Sequence, residues 1–215
     1  MKDSMKLLPF CNFVDACPTV IETTEFVLDG VFAAATVVIA GERGLGKTSA
    51  LVPLMASVAG LCPNFPLKSL IQRNVLYVAE DTLQVTKILR ALRENGHIQA
   101  TSDQINAGFK LVPATRLSPS EIINIKRDIE PLVRDNKTAD GGNYRAPPVI
   151  ILDTTNATID LENISGNSQV SKAVSELRNG LSDIPIILVG HIAKASRGIA
   201  KQMSFVGAGS WEGDT

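Results

Sequence analysis

The stretch ATVVIAGERGLGKTSA, residues 35–50, decides the fold of this chain. It opens with a run of small and β-branched apolar residues, which is typical of a buried strand. The following GERGLGKT, residues 41–48, fits the pattern G-x-x-x-x-G-K-[ST] at every fixed position. Because a helical pattern comes next, the motif lies between a strand and a helix N-terminus. That context predicts a loop whose backbone N–H groups surround phosphate oxygens.

This phosphate-binding loop predicts a nucleoside triphosphate together with Mg²⁺. Lys47 is expected to reach the β- and γ-phosphates, and the Thr48 hydroxyl is expected to bind the metal. The residues predicted to contact the nucleotide are Gly41, Glu42, Arg43, Gly44, Leu45, Gly46, Lys47, Thr48 and Ser49.

Beyond the loop, short apolar runs alternate with helical patterns. Strands are predicted at 35–40, 75–79, 109–112, 149–152 and 184–189, and helices at 48–59, 83–92, 119–129 and 170–177. Runs that are apolar on both faces belong to a covered sheet, and alternation with helices implies parallel strands. We therefore predict an α/β fold, a three-layer α/β/α sandwich with a mainly parallel sheet.

The remaining segments define the domain organisation. Residues 1–29 are broken by prolines and are expected to form an irregular leader that packs on the core. Residues 30–215 are expected to form a single domain. The polar segment 135–146 contains two adjacent glycines and is predicted to be a mobile loop.

Acidic residues follow two of the predicted strands. Ligands bind beyond the carboxyl ends of the strands in such sheets, so these positions are candidates for catalysis. Asp153 follows the fourth predicted strand and is expected to hold Mg²⁺ together with Thr48. Glu80 follows the second and is the candidate for the carboxylate that polarises an attacking water. The adjacent Asp81 is the alternative.

Basic residues and a histidine follow the last predicted strand. His191 could contact the γ-phosphate and report hydrolysis, which makes it a third catalytic candidate beside Glu80 and Lys47. Arg197 and Lys201 lie a few residues further on, in a loop that also contains Lys194. Such a loop could supply positive charge to a neighbouring subunit's γ-phosphate or to a DNA backbone, or it could simply be solvated.

Composition limits the partners and the compartment. The chain has 215 residues and a formal net charge of −1, so it has no overall basic field for gripping nucleic acid. Its apolar runs are much shorter than the roughly 20 residues that span a bilayer, so no membrane association is expected. Its 3 cysteines lack metal-ligand spacing, which favours a reducing compartment. We therefore expect a cytoplasmic protein.

Four segments in this order resemble the RecA-like P-loop ATPase core. Within it they resemble the branch of RepA-type plasmid replicative helicases and related AAA family ATPases of phages and mobile elements. The segments are FVLDGVFAAATVVIAGERGLGKTS (26–49), NVLYVAED (74–81), PPVIILDTTNATID (147–160) and IPIILVGHIAKAS (184–196). The tail VGAGSWEGDT (206–215) is also similar to this branch.

The resemblance implies an ATPase whose water is activated by Glu80, whose metal is held by Asp153 and whose sensor is His191. It also implies a ring-shaped homo-oligomer, a hexamer, with ATP between subunits and a basic finger supplied in trans. The family arginine is replaced here by Val206, so Arg197 or Lys201 would have to substitute. The core also ends early, which suggests a truncated C-terminal part.

The sequence is compatible with several functions. The leading hypothesis is a DNA helicase or other DNA-dependent ATPase in replication that acts on single-stranded DNA. The alternatives are a recombination or repair ATPase of the RadA or KaiC type, and a nucleotide-binding regulatory module with little turnover. A small-molecule kinase is a further alternative, for which 135–146 with Arg134 and Arg145 is the only candidate lid.

Overall fold

The computed structural model describes residues 25–67, 69–118, 121, 123–124, 129–137, 141–159 and 167–191. The strands in these ranges are β1 (Phe26–Leu28), β2 (Phe32–Ala33), β3 (Thr36–Gly41), β4 (Val75–Ala79), β5 (Phe109–Pro113), β6 (Arg134–Lys137), β7 (Asn143–Ala146), β8 (Val149–Asp153) and β9 (Ile186–His191). The helices are α1 (Lys47–Val58), α2 (Thr82–Glu94), α3 (Ser102–Gly108), α4 (Thr155–Thr158) and α5 (Asn167–Gly180).

Five of the described strands form one parallel sheet, in the order β3-β9-β8-β4-β5. The pairs β1–β2 and β6–β7 are separate and antiparallel. In the sheet, β9 lies between β3, which leads into the phosphate-binding loop, and β8, which ends in Asp153. The carboxyl ends of β3, β9, β8 and β4 therefore meet at one edge of the molecule.

Strand β4 shows how the layers form. All five of its residues are buried, and successive side chains point to opposite faces of the sheet. Val75, Tyr77 and Ala79 pack in a cluster with buried residues of α1 and α2. Leu76 and Val78 pack in a second cluster with buried residues of α5. Helices thus cover both faces, and the predicted three-layer α/β sandwich is confirmed.

The apolar runs also predicted the positions of the sheet strands. Each strand of the parallel sheet begins and ends within two residues of its predicted bounds. The reason is that burial on both faces produces uninterrupted apolar runs, which are easily recognised in the sequence.

The prediction of a mobile loop over 135–146 is wrong where the structure describes this segment. Residues 135–137 and 143–146 belong to the paired antiparallel strands β6 and β7, and both strands are bonded to distant residues. Residues 138–140 lie outside the described residues. Arg134 donates a hydrogen bond to the carbonyl of Ala59 over 2.8 Å, and Tyr144 donates one to the carboxylate of Glu25 over 2.7 Å. These long-range bonds order a segment whose composition alone is typical of a loop.

Several other short elements were missed as well. Residues 26–28, expected within the irregular leader, form β1 and pair with β2. The remaining leader, residues 1–24, lies outside the described residues. Helix α3 begins at a capping box in which the Thr101 and Gln104 side chains each bond the other's backbone N–H. That pair is the one sequence signal for this short helix.

Candidate nucleotide-binding site

A cleft of about 600 Å³ opens at the carboxyl ends of the parallel strands. Its walls come from the phosphate-binding loop with the start of α1, and from residues at or just after the ends of β4, β8 and β9. The lining residues are Arg43, Gly44, Gly46, Lys47, Thr48, Ser49, Ala79, Glu80, Asp81, Gln84, Asp153, Thr154 and His191. The cleft therefore joins residues from four separate segments of the chain.

The phosphate-binding loop has a backbone shape that requires glycine. Gly44 and Gly46 have φ angles of 87° and 76°, in the left-handed region that side chains disfavour. Gly46 is the N-cap of α1, and no described side chain caps this helix end. The first N–H groups of α1 are thus left for a ligand, beside the positive end of the helix dipole. This arrangement suits an anionic group.

Lys47 lies across the floor of the loop. Its ammonium donates hydrogen bonds to the carbonyls of Gly41 over 2.8 Å and Glu42 over 2.9 Å. Burial lowers the pKa of Lys47 from its ordinary value, and the charge of Asp153 opposes part of this shift. The group is held at the base of the cleft, where a polyphosphate would attract it.

His191 ends β9 directly opposite Gly41 in the neighbouring strand. Its Nδ1 lies 3.2 Å from the Nζ of Lys47. Burial lowers the pKa of His191, and the charge of Lys47 lowers it further. A neutral ring can accept a hydrogen bond from the ammonium at Nδ1, whereas a protonated ring cannot.

Asp153 is buried at the end of β8 and receives two hydroxyl groups. The hydroxyls of Thr48 and Tyr77 each donate a hydrogen bond of 2.7 Å to its Oδ2. Burial raises the pKa of Tyr77, and so do the charge and the hydrogen bond of Asp153, so the phenol keeps its proton. Thr48 is thus brought next to Asp153, as the metal prediction requires.

The oxygen chemistry of Thr48 and Asp153 fits Mg²⁺, which prefers hard oxygen ligands. The part of the chain that the structure describes contains no cluster of three or more His, Cys, Asp or Glu side chains that could hold a metal ion. Proteins commonly bind Mg²⁺ with one or two side chains plus substrate phosphates and water.

Glu80 follows β4 and is exposed in the cleft. Its Oε2 accepts a hydrogen bond of 2.9 Å from the Thr154 hydroxyl, and its N–H donates to the carbonyl of Asp153. Asp81 also lines the cleft, but its Oδ1 accepts the N–H of Gln84 and caps α2. Of the two adjacent carboxylates, Glu80 is therefore the one whose side chain is not used to begin a helix.

The structure brings together most of the predicted site residues. Of the nine predicted nucleotide contacts, six line the cleft, and Gly41 and Glu42 supply carbonyls to Lys47, so eight of them lie at the site with one exception. That exception is Leu45, whose side chain is 70% exposed at the tip of the loop. Lys194, Arg197, Lys201 and Val206 lie outside the described residues.

Among the residues of the site that were not predicted, Tyr77 and Thr154 have side chains that bond to predicted ones. Tyr77 carries the one hydroxyl of an otherwise apolar strand, which was the available signal. Thr154 directly follows Asp153, and the peptide bond between them is cis. In both cases the hydrogen-bond partner is more than 70 positions away in sequence, so the pairing itself has no local signature.

The fold and the cleft together define a P-loop, ATPase-like domain. The AAA_25 family, an AAA domain, matches residues 4–197, which is most of the chain. The chain therefore belongs to this family of AAA domains, whose membership indicates a nucleotide-binding ATPase. No curated protein matches the chain.

None of the helices in the described ranges is both long and apolar enough to cross a membrane.

Proposed function

We propose that this domain binds ATP with Mg²⁺ in the cleft and hydrolyses it. We propose further that, within a ring-shaped assembly, hydrolysis is coupled to unwinding of DNA or to translocation along single-stranded DNA. The observation that carries the proposal is the convergence of Lys47, Thr48, Glu80, Asp153 and His191 on one cleft. These residues come from distant parts of the chain, and each has the chemistry that one part of ATP hydrolysis needs.

The binding step is assigned to the loop and α1. The N–H groups around Gly44 and Gly46 and the ammonium of Lys47 bind the phosphates. Lys47 exchanges its bonds to backbone carbonyls for bonds to phosphate oxygens. Thr48 and Asp153 would hold Mg²⁺, which would neutralise charge on the phosphates.

The hydrolytic step is assigned to Glu80. Its carboxylate is exposed to the cleft and is oriented by the Thr154 hydroxyl. It accepts a proton from the attacking water as the water oxygen bonds to the γ-phosphorus and the bond from that phosphorus to the bridging oxygen breaks, which gives ADP and inorganic phosphate. His191 contacts Lys47 directly, so a change in the position of the lysine alters the partner of the imidazole. This contact supports His191 as the group that reports the state of the nucleotide.

The proposal also includes a motor role in DNA replication. It is supported by the order of the four segments that resemble RepA-type helicases, with Glu80 closing the second sheet strand of the sequence and His191 closing the last. The kinase alternative is disfavoured by the position of its candidate lid. Arg134 bonds to Ala59 at the C-terminal end of α1, and this 12-residue helix separates it from the loop by about 18 Å.

The test is ATP hydrolysis by the purified chain with and without a single-stranded oligonucleotide, with Lys47→Ala as the control. We expect hydrolysis that requires Lys47, is stimulated by DNA, and loses this stimulation between about 50 and about 200 mM salt. A rate that no nucleic acid changes would contradict the motor role while leaving the ATPase in place. Hydrolysis that survives Lys47→Ala would contradict the site itself.

A further inference from the structure

The strongest unexplained feature of the site is the phenol of Tyr77. Its side chain is 0% exposed, and its ring stacks on Phe109 with the ring centres 5.7 Å apart. A phenylalanine would fill the same apolar space. Burying a hydroxyl there costs free energy unless the group is hydrogen-bonded, and its partner is Asp153.

The two hydroxyls on Asp153 occupy the same oxygen. Thr48 and Tyr77 both donate to Oδ2, while Oδ1 accepts no hydrogen bond from any described residue. Asp153 itself lines the cleft. The two hydrogen bonds to Oδ2 thus fix the rotation of the carboxylate and leave Oδ1 available to a ligand.

The two donors differ in their attachment. Thr48 belongs to α1 and is itself expected to bind the metal, so its contact with Asp153 depends on what the cleft holds. Tyr77 belongs to β4, which is paired with β8 along its whole length, Tyr77 opposite Ile151 and Ala79 opposite Asp153. The phenol is therefore held to the carboxylate by the sheet, whatever the state of the cleft.

We propose that Tyr77 is a positioning residue for the metal site: its hydroxyl holds Oδ2 of Asp153 so that Oδ1 is presented to the Mg²⁺ that accompanies ATP. The inference rests on the proposed Mg²⁺–ATP site and adds a residue that does not itself touch metal or nucleotide. Side chains that bind metal ions are commonly oriented by hydrogen bonds of this kind, and removing one typically weakens metal binding 10- to 100-fold.

The test is Tyr77→Phe, which keeps the ring and its stack and removes only the hydroxyl. The affinity for methylanthraniloyl-labelled ATP is measured in EDTA and through a Mg²⁺ titration. We expect the affinity in EDTA to stay within about two-fold of the wild-type value. The Mg²⁺ midpoint should rise about 10-fold, the lower end of the range for removing a hydrogen bond of this kind.

Phe109→Leu is the matched control, since it disturbs the same ring stack and leaves the hydroxyl in place. It should lower the unfolding temperature and keep the wild-type Mg²⁺ midpoint. A Tyr77→Phe midpoint equal to wild type, or a Phe109→Leu midpoint that moves just as far, would overturn the positioning role. A wild-type affinity that does not depend on Mg²⁺ would overturn the proposed site and the inference with it.

Discussion

The most informative single substitution is Glu80→Gln. Glutamine keeps the size of the side chain and an oxygen that can accept the Thr154 hydroxyl, so the local geometry should persist. It cannot take a proton from water, and losing a general base typically costs 10²- to 10⁴-fold in rate. That range corresponds to about 3–5 kcal/mol in the activation free energy. ATP affinity should change little, because the phosphates are assigned to the loop and not to Glu80.

The assay is single-turnover hydrolysis of labelled ATP with the protein in excess, beside equilibrium binding of the same nucleotide. Asp81→Asn is the matched control, since asparagine caps a helix as well as aspartate and should preserve α2. We expect it to hydrolyse ATP at nearly the wild-type rate. If Glu80→Gln retains a rate within about ten-fold of wild type, the assignment of the base is wrong. If Asp81→Asn loses the rate instead, the base is Asp81.

Three further substitutions test the loop, the histidine and the core. Lys47→Ala should weaken ATP binding about 100-fold or more, measured by equilibrium titration, because about 3 kcal/mol of charge-assisted bonding is lost; unchanged affinity would refute the loop assignment. Because the pKa of His191 is lowered in the folded protein, the unfolded chain binds a proton more readily as the pH falls below about 6.5. The free energy of unfolding therefore decreases in that range. Between pH about 7.5 and about 5, the unfolding temperature of His191→Asn should therefore fall by less than that of the wild type. Parallel curves of unfolding temperature against pH would contradict this. Leu177→Ala, at a fully buried position, should cost about 2–5 kcal/mol in urea unfolding; a loss below about 1 kcal/mol would show that Leu177 is not core.

Local patterns predicted the layers and the phosphate-binding loop because both have a short-range cause. A strand buried on both faces is an unbroken apolar run, and a loop around phosphate needs glycine at fixed spacing. For this reason the strand predicted at 75–79 has the same bounds as the observed β4. Glu80, Asp153 and His191 were predicted from their position as polar residues directly after such runs, and all three line the cleft.

The missed features depend on contacts between distant residues. The hairpin β6–β7 is held through Arg134 and Tyr144, whose partners lie 75 and 119 positions away. The bond from Tyr77 to Asp153 requires both the strand order and the register of β4 against β8. Neither is encoded in the composition of a single segment, so a pattern read along the chain cannot recover them.

The placement of β9 has a mechanical consequence. The strand is hydrogen-bonded to β3 on one side and to β8 on the other, with Gly41 opposite His191 and Asp153 opposite Val189. Tension on the chain beyond residue 191 is consequently transmitted to both flanking strands at once. The last residue of this strand is also the one whose imidazole contacts Lys47 at the base of the phosphate-binding loop.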